Sequence, residues 1–333
     1  MSVSVIMKTL NEEKRIAAAI ESALEALQAV GGGEVIVADS GSRDRTVEIA
    51  SGYDAKVVQI VAPARPSCGL GPQLGFQYSG CEFVCLMDGD MILDPGFLQE
   101  ALGYLAAHPD CAGVTGHVVE MNVENLEFTR RVRRASPENR TGAIDRMNGG
   151  GLYRREAVEK AGYFSDRNLH GYEEFDLGVR LRALGFTLHR LDRPFVQHFG
   201  HTLNAYALLV RRWKSKYLRG VGELLRAAWG KPYFGMLLKE LPELRLWAVV
   251  YGWIAAVLVA PLLAPSLALG LAASLAILAL PVAAMSLKQK SLSLGVYAVV
   301  AWLFHAAALP LGFFHPRLKP EAWIESKQLP GRA

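Results

Sequence analysis

The stretch CLMDGDMI, residues 85–92, runs an apolar segment into two aspartates, Asp88 and Asp90, with only Gly89 between them. Apolar side chains resume at once with Met91 and Ile92. Like charges this close repel, and more so where little water screens them. Such a pair at the end of an apolar run marks either a surface turn or a place where a cation sits between carboxylates. The neighbouring segments bear on that choice.

Two earlier apolar runs end in the same manner. Val3–Met7 passes into Lys8-Thr9-Leu10-Asn11-Glu12, and Val35–Ala38 into Asp39-Ser40-Gly41-Ser42. Between them Ile16, Ala19, Ile20, Ala23, Leu24 and Leu27 recur at helical spacing, with acids near the start and Gly31–Gly33 as the stop. A helix from about Asp44, a β run over Ala55–Val61, a Gly/Pro-rich turn, a helix to about Gly80 and the strand Phe83–Met87 complete the series. This alternation predicts an α/β fold with a mostly parallel sheet covered on both faces. Ligands of such sheets lie at the carboxyl ends of the strands. The three polar clusters therefore open onto one edge and form a single acidic site.

Two carboxylates at that edge suit Mg²⁺ or Mn²⁺, which take oxygen ligands and are often held by one or two carboxylates plus substrate phosphates. Gly89 leaves room for close backbone approach. The four cysteines, at 68, 81, 85 and 111, have no metal-ligand spacing, and Cys81 and Cys85 read as small core residues.

Taken together, KTLNEE (8–13), VADSGSRDRT (37–46), LMDGD (86–90) and GYEEFDLGVRLRALGF (171–186) resemble the ordered motifs of the family 2 glycosyltransferases. The resemblance covers roughly residues 3–200. It implies the GT-A fold, a Rossmann-like mixed sheet that binds a nucleotide-diphosphate sugar. It also implies roles by position: Thr9 and Glu12 line the nucleotide pocket, Asp39 bonds the base (usually uracil), Asp88 faces ribose or metal, and Asp90 ligates the metal. His198, in VQHFGH, matches a position that often meets the metal or diphosphate; His201 has a weaker claim. Lys8 stands where the family usually has proline, and Ala38-Asp39-Ser40 replaces its V-D-D. The second departure removes one acid from the nucleotide pocket.

The acceptor side is expected downstream. Gly149, Gly150 and Gly151 permit close approach of backbone and substrate. Glu173, Glu174 and Asp176 crowd the first turn of a predicted helix that stops at Gly185. Capping and the helix dipole account for one such acid, not for three. Inverting transfer needs a carboxylate to take the acceptor's proton. The resemblance places that base on Glu174, with Glu173 as the alternative and Asp176 beside the acceptor.

Mean hydropathy is positive, +0.18, and charged residues are 20% of the chain against a usual share of about 25%. The excess is local. Leu246–Leu287 holds no Asp, Glu, Lys, Arg or His, and Ser291–Phe314 holds only His305. A bilayer core needs about 20 apolar residues per helix, so three membrane segments are expected, the first two separated near Ala264-Pro265-Ser266. Pro310 and His305 leave the third open to a re-entrant course. The N-terminal apolar stretch is too short for a signal peptide, so the first 240 residues are expected to stay in the cytoplasm. The basic link Lys288-Gln289-Lys290 fits that side as well. The basic tail with Arg317, Lys319, Lys327 and Arg332 argues the opposite, and leaves both sides open for the C-terminus.

Between Arg193 and Gly222 there are six Lys or Arg and no acid, interleaved with Leu, Trp and Tyr. That composition predicts a helix lying at a lipid interface. Arg212-Trp213 faintly resembles the Q-x-x-R-W of processive relatives, although Leu209 holds the Gln position, and the pair is expected at the acceptor. RRVRR (130–134) would meet a phosphate-bearing acceptor or the membrane, and nucleic acid is not expected as a partner.

The expected organisation is a GT-A catalytic domain over 1–205, interfacial helices over 206–244, membrane helices over 245–315 and a tail over 316–333. The expected activity is metal-dependent, inverting hexosyl transfer from a nucleotide-diphosphate sugar, with UDP foremost. The acceptor would be lipid-linked or a glycan, at the cytoplasmic face of a bacterial inner membrane. The alternatives are a polyprenyl-phosphate sugar synthase and a catalytically silent scaffold on the same fold.

Overall fold

The structure, a computed structural model, describes residues 1–61, 66–121, 140–199 and 204–330. The RRVRR cluster and His201 lie outside the described residues. The chain forms two compact units: Met1–Ala205 with Pro316–Ala333, and Tyr206–His315.

The first unit is built on one mixed sheet. β1 (Val3–Thr9), β2 (Gly33–Asp39), β3 (Lys56–Ile60) and β4 (Phe83–Asp88) are mutually parallel, in the order β3-β2-β1-β4. Past β4 come β8 (Gly151–Arg154), β6 (Cys111–Glu120), β9 (Thr187–His198) and β5 (Met91–Leu93), while β7 (Gly142–Ile144) pairs with β9. β8 is antiparallel to both its neighbours and β6 is parallel to β9, so β1–β4, β6 and β9 run one way within a mixed sheet. The unforeseen strands β5 and β7 have three residues each, too few for periodicity to show.

Alternate residues of β1 face opposite layers, as strand geometry requires. Val3, Val5 and Met7 pack with α1 (Ile16–Gln28) and α4 (Phe97–Ala107). Ile6 packs with α3 (Leu70–Tyr78), α5 (Arg155–Lys160) and α6 (Glu173–Ala183) on the other face. α2 (Thr46–Ala50) is a single short helix after β2. Cys85 and Cys111 are buried core residues, Cys68 and Cys81 are half-buried, and none of the four forms a disulfide.

The tail belongs to this unit. β10 (Ser326–Gln328) pairs antiparallel with the outer edge of β3. Ile324 enters the core, Gln77 holds both its N–H and its carbonyl, and Arg317 pairs with the fully buried carboxylate of Asp166.

The second unit is helical: α7 (Ala205–Lys214), a tight turn over Tyr217–Arg219, α8 (Gly220–Ala228), α9 (Phe234–Glu240), then α10 (Glu243–Leu263), α11 (Leu267–Gln289) and α12 (Leu292–Phe313). The last three are each long and apolar enough to cross a membrane. The break between α10 and α11 falls where Pro265 interrupts the chain, and Ser266 caps α11 by accepting from the Leu269 N–H. α10 and α11 pair through Trp253 Nε1, which donates to the Ile277 carbonyl at 2.9 Å, and Ser274 Oγ, which donates to that of Val257 at 2.8 Å.

Candidate active site

The parallel strands β1, β2 and β4 stop level with one another. Thr9 lies beside Asp39 and Lys8 beside Asp88 in the sheet register. Three polar strand ends thus share one edge, as the sequence implied. Their side chains are engaged in different ways.

Asp39 is fully buried. One oxygen accepts from the Gly41 and Ser42 N–H groups and from the Gln59 amide, each at 2.9 Å; the other accepts from the Ser42 and Thr9 hydroxyls. This carboxylate organises the turn after β2. Across from it, Asn11 Oδ1 accepts from the Arg43 N–H at 2.8 Å, and the Glu12 N–H donates to Thr46 Oγ1 at 2.7 Å, lacing the loops after β1 and β2 together.

Lys8 sits between acids. Its Nζ lies 3.1 Å from Asp88 Oδ1 and 3.3 Å from Glu173 Oε1. Burial works against its charge, but Asp88 and then Glu173 outweigh it and hold the ammonium well above the usual lysine range. Asp88 is itself raised, by burial first, with Lys8 opposing and Asp90 adding to the rise. Gly89 is enforced by packing: a Cβ there would come within 2.6 Å of Thr9 Cγ2.

Glu174 reaches back to the glycine turn, accepting from the Gly149 N–H at 3.1 Å and the Gly150 N–H at 2.6 Å. Burial raises its carboxyl to about 7, with Lys8 opposing and Glu173 reinforcing the rise. Gly150 has φ +98°, and a Cβ would meet the Leu86 carbonyl oxygen at 2.0 Å, so only glycine fits. Glu173, Glu174, Tyr153 and Ser165 line a small cleft against Leu86 and Leu177. Tyr172, just before α6, is left-handed at φ 68°, as is Asn11 at φ 60°. Among the described residues of this unit they are the two non-glycine residues so held, and both border the acidic edge.

Asp90 lies at the other side of the edge, its Oδ2 3.5 Å from His198 Nε2. The opposite ring nitrogen, Nδ1, lies 2.7 Å from Glu120 Oε2. Burial disfavours the imidazolium, yet Asp90 and Glu120 overcome it and push His198 up to about 10. Among the described residues no three His, Cys, Asp or Glu side chains converge tightly enough to hold an ion alone. A carboxylate such as Asp90, completed by phosphate oxygens, is nevertheless a donor that a Mg²⁺ or Mn²⁺ nucleotide site uses, and His198 stands beside it.

Asp176 does not reach the edge. It is fully buried and paired with Arg180 Nε at 2.8 Å, and Arg180 also donates to the Ala161 and Tyr163 carbonyls. Arg212 and Trp213 lie on α7 in the second unit, where Arg212 sits over the Tyr217 ring and Trp213 meets Phe304 edge-on. From sequence, Lys8 counts in the polar cluster after β1 and as a departure from the family pattern but gains no role of its own, and Glu120 is not singled out. A lysine closing a buried strand among acids was a usable signal; Glu120 offers none, because its partner is 78 residues away.

Residues 4–162 match the family model described as "Glycosyl transferase family 2". A curated relative from Staphylococcus haemolyticus, 4,4'-diaponeurosporenoate glycosyltransferase, is 32% identical over 38% of this chain and 35% of its own length. The low-salt glycan biosynthesis hexosyltransferase Agl6 of Haloferax volcanii is 40% identical over 28% of this chain and 22% of its own length. The chain thus spans about a third or less of the curated relatives it matches. Two solved structures share the fold. The mannosyltransferase PcManGT of Pyrobaculum calidifontis, in complex with GDP-Man and Mn²⁺, has a TM-score of 0.56 at 21% identity, over 93% of this chain and 86% of that one. TarS 1–349 of S. aureus, in complex with UDP-GlcNAc, has a TM-score of 0.51 at 16% identity, over 94% and 89%.

Proposed function

We propose that this chain, which carries a family 2 glycosyltransferase domain of the GT-A fold, inverts the anomeric centre of a nucleotide-diphosphate sugar as it passes the sugar to a lipid-linked or glycan acceptor. The observation that carries this reading is Glu174, raised to about 7 beside the acidic strand ends. A carboxylate balanced near neutrality can accept a proton and release it again, as a general base must.

In this reading the acceptor hydroxyl gives its proton to Glu174 as its oxygen attacks the sugar. The bond between the anomeric carbon and the diphosphate breaks, and the nucleoside diphosphate leaves with the electron pair. The N–H groups of Gly149 and Gly150 aim the carboxylate and keep it from swinging toward Lys8. Lys8 keeps Asp88 and Glu173 compensated while no substrate is bound. Asp90 and His198 would hold Mg²⁺ or Mn²⁺ with the diphosphate, and His198 would surrender its proton on doing so. The metal, when bound, supplies charge stabilisation to the leaving diphosphate. Thr9, Glu12 and Asp39 shape the nucleotide pocket. UDP is the donor we expect; GDP, present as GDP-Man in the PcManGT complex, is the competitor.

The test is a panel of UDP- and GDP-sugars with Mn²⁺, scored by thermal shift and then by transfer, on the purified full chain and its Glu174→Gln and Asp90→Ala variants. Transfer by the parent and its loss in both variants is expected. Full activity of Glu174→Gln would sink the base assignment.

A further inference from the structure

We infer that only the α10–α11 hairpin enters the hydrocarbon core of the bilayer, and that α12 lies along the membrane surface together with α7 and α8. The inference does not rest on the chemistry proposed above.

Connectivity supplies the first half. The chain leaves the first unit after Ala205 and rejoins it at Pro316. Beyond that point Ser326–Gln328 are hydrogen-bonded to Val58–Ile60 of β3, in the sheet whose other strands precede the helices. Strands of one sheet stand on one side of a membrane. The number of crossings between Tyr206 and His315 is therefore even, although three helices are long and apolar enough to cross.

Packing inside the second unit identifies the helix that does not cross. α7, the turn after it and α8 run beside α12 along most of its length. Tyr206 meets Tyr297 with ring centroids 5.0 Å apart, Trp213 meets Phe304 at 5.4 Å, and Leu209 and Leu218 pack around Ala308. Farther on, a Cβ on Gly222 would come within 2.0 Å of the Leu309 carbonyl oxygen, and one on Gly312 within 2.2 Å of that of Arg219. Contact from Tyr297 to Gly312 covers about 22 Å of helix. Over the same length the accompanying segment carries Arg211, Arg212, Lys214, Lys216, Arg219 and Glu223. Were this assembly upright, several of these charges would enter the hydrocarbon, where an ionised side chain is costly. Laid flat, the five cations lie along the membrane surface, where they meet headgroups, while Glu223 is buried inside the unit.

The hairpin has the opposite character. Leu246–Leu287 carries no charged residue. Leu258, Leu262, Leu263, Leu267 and Leu275, around its closed end, are all at least 67% exposed, so apolar surrounding is what they lack. At 21 and 23 residues its arms reach about 32 and 35 Å, enough for a core of about 30 Å. α12 touches both arms at the open end of the hairpin. Gly295 abuts Ser286, the Trp247 ring stacks on His305, and Tyr251 Oη donates to the Ala306 carbonyl at 2.6 Å. A helix laid across the base of a spanning hairpin makes these contacts.

The experiment uses the full chain in sealed vesicles, with a tag at Met1 to report orientation and a membrane-impermeant maleimide added from either side. Single cysteines replace Leu292, Phe314 or Pro265, and the parent chain sets the background. Leu292→Cys and Phe314→Cys should label only from the side that carries the tag, and Pro265→Cys only from the other. Labelling of Phe314→Cys from the side of Pro265→Cys would establish a third crossing and overturn the inference. So would labelling of Pro265→Cys from the tagged side, which would mean that the hairpin does not cross.

Discussion

Lys8 Nζ and Asp88 Oδ1 lie 3.1 Å apart at the ends of adjacent parallel strands, with Glu173 Oε1 3.3 Å from the same ammonium. The lysine compensates two carboxylates drawn from elements 80 and 165 residues away in sequence. Lys8→Ala should leave both without their cation. The pair is partly exposed, so the cost is smaller than for a fully buried one, about 1–2 kcal/mol. A melting temperature lowered by several degrees relative to the parent is expected; an unchanged one would mean that the acids are held apart by other means.

The pH dependence of transfer follows from Glu174. A base must be ionised to act, and its carboxyl sits at about 7. kcat should rise with pH through about 7 and level off above it. Stability should move the other way. The folded chain holds this proton more tightly than the unfolded chain, so the contribution falls as pH climbs from the ordinary glutamate range to about 7. Glu174→Gln should lose transfer by about 10²-fold or more and flatten the acid limb of the profile.

Gly150 is open to a direct test. Its φ of +98° and the 2.0 Å approach to the Leu86 carbonyl leave no space for a methyl group. Gly150→Ala should destabilise the first unit by about 3 kcal/mol or more, seen in thermal melts. It should also disturb Glu174, which depends on that N–H.

The metal reading predicts linkage. Mn²⁺ with UDP should raise the melting temperature of the parent, by an amount that corresponds to about 2.7 kcal/mol at a hundred times the dissociation constant. Asp90→Ala should abolish the shift without altering the melt in EDTA by more than a degree or two. A shift retained in Asp90→Ala would move the ligand set elsewhere.

Arg317→Ala removes the cation facing Asp166, a carboxylate with no exposed surface. Asn168 still donates to it. The remaining uncompensated charge should cost about 3 kcal/mol, readable in thermal melts.

What could be read from sequence was whatever sits in short, strongly patterned segments. β1, β2 and β4 are buried runs ending in polar clusters, and they placed Asp39 and Asp88 on one edge correctly. Glu173 and Glu174 were visible as a surplus of acids that capping could not explain. Asp176 belonged to the same surplus, yet its burial against Arg180 depends on α5 and the loop after it, which no local pattern reports. Lys8 needed the β1–β4 register to acquire a meaning. β10 was illegible for a different reason: three polar residues carry no period, and their strand partner lies some 270 residues earlier.

That last strand also sets an order of events. Chains are made from the N-terminus at about 5–20 residues per second, and β10 emerges only after the whole second unit. Until it does, the outer edge of β3 offers unpaired N–H and C=O groups, the kind of edge on which sheets of separate molecules join. The first unit is thus closed last, after α10, α11 and α12 have been synthesised. A chain stalled in the helices would carry an open sheet, so completion of the second unit and closure of the first are bound into a single sequence in time.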